Sequence, residues 1–146
     1  EGINELDNLG ATKVANDLKE MVASGLSRGA DVLLATLMPV GNVRENQRPG
    51  TRAAVQELNE QIRQIARNRN LGPVVDLFSV FKRTPSLLGR DGLHPTAAGY
   101  RAIADAFLEA ILLRWEVTKG PMITLSLPTM RSVYNGRQTN VDSQVF

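Results

Sequence analysis

The chain has 146 residues, 42% of them apolar and 22% charged, with a formal net charge of +2. That length and balance suit one globular domain with a real core. So slight a charge, with no basic cluster interleaved with aromatics, excludes a nucleic-acid partner. The absence of cysteine excludes disulfides, thiolate chemistry and cysteine-ligated metals, and it leaves the redox compartment open. No apolar run reaches transmembrane length and no signal peptide is visible. The first residue is Glu1 rather than Met, so a processed product or a fragment that has lost a front segment is expected.

Residues 1–10, EGINELDNLG, are polar and rich in turn formers and read as a loop. Val14, Leu18, Met21, Val22 and Gly25 then recur at three and four, which predicts a helix from Ala11 to Ser27. Arg28-Gly29 closes it. The run DVLLATLMP, residues 31–39, is almost continuously apolar until Pro39 and fits a strand buried on both faces of a parallel sheet. A polar loop over 40–50 leads to a second helix, Thr51–Asn68, with Val55, Leu58, Ile62 and Ile65 as its buried stripe and Thr51 as its cap. PVVDLF, residues 73–78, reads as a second buried strand.

Residues 79–95 read as a long loop with one helical turn near Pro85–Leu88. The last clear helix runs from Ala97 to Trp115, with Thr96 as N-cap and Tyr100, Ile103, Phe107 and Ile111 on its inner face. Helices alternating with strands over short connections predict an α/β sandwich. Residues 116–146 form a second segment. ITLSL (123–127) alternates, and Asn135-Gly136 signals a hairpin, so this tail is expected to be a small β-like extension or an arm lying on a partner. Two strands are too few for a doubly covered sheet. Either the tail adds to the sheet or strands precede Glu1.

The single histidine lies in GRDGLHPTAAGY, residues 89–100. Asp91 and His94 are three apart with Gly92 between them, so a compact turn brings the carboxylate to one ring nitrogen. That contact fixes the tautomer and raises the basicity of the other nitrogen. Pro95 restrains the His94 backbone, and Thr96 caps the helix that follows. A general base on a loop fits this pattern, and so does a surface histidine in a capped turn. One His, no Cys and scattered acids give no metal-ligand spacing.

Asp91-Gly92-Leu93-His94-Pro95, followed by Thr96-Ala97-Ala98-Gly99-Tyr100, resembles the final block of the SGNH hydrolases, the GDSL esterase/lipase family. Gly2-Ile3-Asn4-Glu5 resembles that family's Gly-x-Asn-Asp block, with Glu5 in place of the usual Asp, and LLATLMPV (33–40) resembles a core strand between the two. The resemblance covers residues 1–114. It implies a flavodoxin-like three-layer α/β/α sandwich, incomplete at the N-terminus, over residues 1–115. It also implies serine esterase or lipase chemistry with no metal or organic cofactor. His94 would be the general base, Asp91 would orient it, and Asn4 would be the side-chain donor of the oxyanion hole.

The family's nucleophile sits in a Gly-Asp-Ser-like block upstream of the Asn block, and no such block is present in the sequence. None of Ser24, Ser27, Ser79, Ser86, Ser126, Ser132 and Ser143 lies in a glycine-flanked strand-to-helix elbow. The expected chemistry therefore needs a serine outside the chain, on a missing N-terminal fragment or supplied with another copy. The expected substrate is an ester of a lipid, an acetylated sugar or a small acyl group. Loops 41–50 and 79–90 would border the site. Gly2, Asn42 and Arg44 are the substrate-contacting candidates, and Arg44, Arg48, Lys82 and Arg83 either favour anionic groups or form a solvated rim. Many members of the family are exported, and nothing in the sequence decides the compartment. The alternative is a truncated or degenerate hydrolase-like domain that binds a protein or carbohydrate without catalysis.

Overall fold

The computed structural model describes residues 2–115, together with 132–134 and 137–139. Two units divide the chain, Glu1–Glu116 and Val117–Phe146. Within the first, α1 (Gly2–Ser27) is helical from its start and is broken only at Gly10, whose φ of 78° and ψ of 162° lie outside the helical region. The loop expected over residues 1–10 is therefore largely helix. Its turn-forming residues are used from within. Leu6 is buried in the core, Asp7 is held by Arg44 and Thr51, and the Asn8 amide donates to the Asn4 carbonyl at 3.1 Å.

The remaining helices are α2 (Asn42–Gln47), α3 (Thr51–Asn68), α4 (Leu77–Arg83) and α5 (Ala97–Arg114), with a single 3-10 turn over Pro85–Leu87. The span of α3 and its stripe are as the periodicity predicts. Val55, Leu58, Ile62 and Ile65 are all buried in a core shared with Leu6, Ala15 and Val22 of α1 and with Leu34. Its N-cap is Gly50. Thr51 instead turns its hydroxyl to the Asp7 carboxylate and the Arg48 carbonyl. Helices α2 and α4 occupy stretches read from sequence as loop and strand end.

The three-layer α/β/α sandwich is not formed. Across residues 2–115 the described pairing is two isolated bridges, Ala35 with Val75 (parallel) and Leu88 with Pro95 (antiparallel). The parallel bridge consists of Val75 N–H to the Leu34 carbonyl at 2.8 Å and Thr36 N–H to the Val75 carbonyl at 3.0 Å. The ladder stops there for local reasons. Asp76 caps α4 by accepting from Ser79 N–H, and the Phe78 N–H goes to the Thr36 hydroxyl at 2.9 Å. The second apolar run thus turns into a helix one residue past the bridge. On the first run, the Asn59 side chain takes the Leu37 N–H at 2.7 Å and donates to the Leu37 carbonyl at 3.0 Å. A pair of parallel segments without further neighbours is a marginal sheet. Within the run 31–39, expected to be buried on both faces, Leu34 is buried while Val32 and Leu37 are half-buried.

Helix α5 also departs from its expected inner face. Ile103 and Phe107 pack on a small second core of Val75, Leu77 and Ala110, but Tyr100 and Ile111 are exposed. In the second unit, β1 (Ser132–Tyr134) runs antiparallel to β2 (Arg137–Thr139), with Val133 opposite Gln138. This is the pairing an Asn-Gly turn predicts. The expected ITLSL strand lies outside the described residues.

Candidate functional site

The turn carrying His94 is built almost wholly from its own residues. Gly89 N–H donates to the His94 carbonyl at 2.7 Å, Gly92 N–H to the Gly89 carbonyl at 3.0 Å, and Thr96 N–H to the Leu87 carbonyl at 2.8 Å. Asp91 Oδ1 accepts the backbone N–H groups of Leu93 (3.0 Å) and His94 (3.1 Å). Its Oδ2 lies 2.5 Å from His94 Nδ1. The His94 ring beside it, helped by those two backbone N–H groups, holds the Asp91 carboxyl down at a pKa of about 2. A carboxylate fixed in this way sets the ring orientation and leaves Nε2 turned to its surroundings. The side chain of His94 is 71% exposed. Thr96 accepts from Gly99 N–H and caps α5.

Two glycines dock the turn on the rest of the domain. Gly41 N–H donates to the Gly92 carbonyl at 2.8 Å, and a Cβ on Gly41 would stand 2.7 Å from Gly92 Cα. Gly92 has a φ of 70°, the left-handed region that favours glycine. Neither apolar period nor residue type in the sequence signals the Gly41–Gly92 contact, because it joins two loops fifty residues apart.

Beside the turn lies an open groove of about 720 Å³, walled by α1 and α3 and floored by residues 35–40. His94 and Pro95 stand at one border and Ile3, Asn4 and Glu5 at another. Much of the lining is apolar, with Leu18, Met21, Leu37 and Met38 among it, and Met21 is 70% exposed. The sequence reading missed these groove residues. The signal available was that the apolar run 31–39 is longer than its single bridge to Val75 can use.

The expected site residues separate into two groups. Asn4 and His94 reach the same groove, with Asp91 behind His94. Gly2, Asn42 and Arg44 do not line it. Gly2 opens α1. Asn42 opens α2 and accepts from the Arg52 guanidinium. Arg44 is largely enclosed and ion-paired with Asp7, and its Nε is buried without a hydrogen-bond partner among the described residues. That guanidinium is committed to joining α1 to α2. Arg48, Lys82 and Arg83 also lie away from the groove lining.

The serine-hydrolase mechanism expected of this chain is not supported. In place of a sheet core there is one parallel bridge. No triad is assembled among the described residues. The Ser79 hydroxyl is spent on Asp76 and the Ser27 hydroxyl on the Ser24 carbonyl, and no described serine hydroxyl is bonded to His94. Asn4 lines the groove, but an oxyanion hole requires several donors converging on one point, and no such convergence with Asn4 is described. The described residues also contain no group of His, Asp and Glu that could hold a metal ion, and no described helix is long and apolar enough to cross a membrane.

Comparison with known proteins places this geometry. Residues 1–102 match the GDSL-like Lipase/Acylhydrolase family. No curated protein matches the chain. Among solved structures, it is similar to the esterase domain of the ORF1 protein from the zebrafish ZfL2-1 retrotransposon, with 19% identity and a TM-score of 0.57 over 70% of this chain. It is also similar to an acetyl xylan esterase, AlAXEase, with 22% identity and a TM-score of 0.58 over 69% of this chain. At such identities the likeness is one of fold alone. The chain spans 60% of the first of those structures and 55% of the second.

Proposed function

This chain belongs to the GDSL-like lipase and acylhydrolase family, and we propose that within it residues 2–115 act as a hydrolase-like binding domain, not as an ester hydrolase. The observation that carries this reading is the open, largely apolar groove of about 720 Å³, lined by Asn4 and His94 among others. An exposed apolar surface of this kind is costly in water and marks a binding site. Asn4 offers a neutral donor, and His94, oriented by Asp91, offers a ring nitrogen that donates or accepts. These two groups select ligands that carry a polar group beside an apolar body. A polypeptide meets that description better than a carbohydrate, whose hydroxyls would find few partners along Leu18, Met21 and Leu37.

The test pairs a binding measurement with an activity measurement. Nile red fluorescence should rise on binding the groove and fall several-fold with Met21→Lys, an exposed groove position. Leu113→Lys, at an exposed position on α5, should leave the signal unchanged. Hydrolysis of p-nitrophenyl acetate should be no faster than with His94→Ala. A His94-dependent turnover beyond that of free imidazole, or a dye signal indifferent to Met21→Lys, overturns the reading.

A further inference from the structure

Segment 40–52 carries two ties, one to each of the elements that bring Asn4 and His94 to the groove. At its start, Gly41 N–H donates to the Gly92 carbonyl at 2.8 Å, which docks the His94 turn. Further along, the Arg44 guanidinium pairs with the Asp7 carboxylate, and Thr51 donates its hydroxyl to the same carboxylate at 3.1 Å. Asp7 follows Asn4 by three residues on α1. Between the ties the segment is braced against itself. Glu45 accepts Gly50 N–H and Arg52 N–H, each at 2.9 Å, and these two donors hold its carboxyl below the usual carboxylate range. The Arg52 guanidinium in turn donates to the Val40 carbonyl at 3.3 Å and to the Asn42 side chain. Helix α2 has six residues and none of them is buried. So short a helix is not stable by itself, and these polar bonds give the segment its shape.

We infer that segment 40–52 is a positioning bracket, with Gly41 and Arg44 as its two ends, and that it sets the separation of Asn4 from His94 in the groove that both line. Neither residue is placed by its own element alone. The His94 turn assembles its Asp–His pair locally, which fixes the ring within the turn but not the turn within the domain. On the other side, Gly10 breaks α1 with a φ of 78° and a ψ of 162°. The helical hydrogen-bond ladder therefore does not carry the orientation of residues 11–27 to residues 2–9. Residues 2–9 take their orientation from tertiary contacts. Buried Leu6 supplies packing, which is non-directional, and Asp7 supplies a charge-assisted bond, which is directional. That bond is enclosed, with the Arg44 and Asp7 side chains 17% and 9% exposed, so salt screens it little. On the binding role proposed above, the bracket decides which ligands can meet Asn4 and His94 at once. The bracket itself stands whatever the groove holds.

The experiment reads that separation in the full chain with no ligand present. The sequence has no cysteine, so Asn8→Cys and Arg90→Cys, exposed positions on the Asn4 segment and the His94 turn, accept two nitroxides. Pulsed electron paramagnetic resonance then gives the distribution of distances between them. The doubly labelled parent should show one narrow distance. Arg44→Met should widen the distribution roughly twofold, whereas Arg44→Lys, which keeps a cation beside Asp7, should leave it narrow. Glu45→Ala touches neither tie and should also widen it, because it removes the brace between them. In both widened variants Asp91 should still titrate at about 2, which distinguishes a displaced turn from a dismantled one. Ala66→Gly, at a buried position of α3, is the control for stability alone. It changes how many molecules are folded and not the distances within them, so its distribution should stay narrow. If Arg44→Met does not fold, Glu45→Ala decides the matter. A distribution that stays narrow in either variant, or that Ala66→Gly widens equally, overturns the bracket. Nile red binding is read separately and bears on the binding role alone.

Discussion

Asn59 is a buried polar residue whose removal should be costly. It lies in α3 at 2% exposure, and its side chain is the sole described partner of the Leu37 N–H and carbonyl. Asn59→Ala would orphan both main-chain groups. A buried unsatisfied group costs about 1–3 kcal/mol. Leu37 is only half-buried and borders the open groove, so water reaches it in part and the lower end applies. Two groups at about 1–1.5 kcal/mol each give a loss of about 2–3 kcal/mol. In urea, with a slope of about 1–3 kcal/mol per molar, that is a midpoint shift of about 0.7–3 M, readable by circular dichroism in so helical a domain. Asn59→Leu separates the causes. It fills the volume but restores neither hydrogen bond, so it should lose nearly as much as Asn59→Ala. A loss below about 0.5 kcal/mol for Asn59→Ala, or full recovery with Asn59→Leu, would refute the pairing of Asn59 with both main-chain groups of Leu37.

Three further outcomes follow from the same geometry. Asp7→Ala leaves the enclosed Arg44 guanidinium without its counter-charge and removes a bond from Thr51. It should destabilise by about 2–4 kcal/mol, and a double-mutant cycle with Arg44→Ala should show coupling above about 1 kcal/mol; additive losses would contradict the pairing. Asp91 titrates at about 2, held down first by its bond to His94, so its carboxylate favours the turn above its unfolded pKa of 3.8 and that contribution is lost as pH falls through about 2. His94→Ala should bring the Asp91 carboxyl, followed by carbon NMR, back up toward 3.8, and an unmoved titration would show that the ring contact is absent in solution. Gly99→Ala in α5 would ordinarily stabilise a helix by about 1 kcal/mol. Here the added Cβ meets the Leu87 carbonyl at 2.2 Å and Pro95 Cβ at 2.9 Å, so the melting temperature should fall, and a rise would refute the close approach.

What the sequence revealed depended on how local each feature is. Helix α3 was legible from Thr51 to Asn68 because its apolar stripe is narrow and its other face is charged, so the period has a phase. Helix α5 was legible in extent but not in orientation. Leu108, Ile111, Leu112 and Leu113 are exposed on a helix that is apolar nearly all round, and such a pattern does not say which side is inner. The two apolar runs, 31–39 and 73–78, were misread as strands because apolar continuity reports burial and not pairing. Whether such a run becomes a strand depends on neighbours, and these runs meet Asn59, Thr36 and Asp76 instead. Residues 2–9 carry turn formers by type, but Leu6 and Asp7 have tertiary partners that override local preference.

The histidine turn was the most legible part of the candidate site, and for the same reason it is the least informative about chemistry. Asp91 Oδ1 serves two backbone N–H groups and Oδ2 serves the ring, so the turn assembles an oriented imidazole from residues 87–96 alone, whatever stands opposite Nε2. An Asp–His pair made in this way is a structural product of the Asx-type turn and the helix cap behind it. Catalysis would require an independent element to bring a nucleophile and a pair of donors to that nitrogen. The elements that line the same space are α1, with Asn4, α3, and residues 35–40. Among the described residues they bring Asn4 and an apolar wall to the side of the groove that His94 also lines, and no second element brings a nucleophile to Nε2.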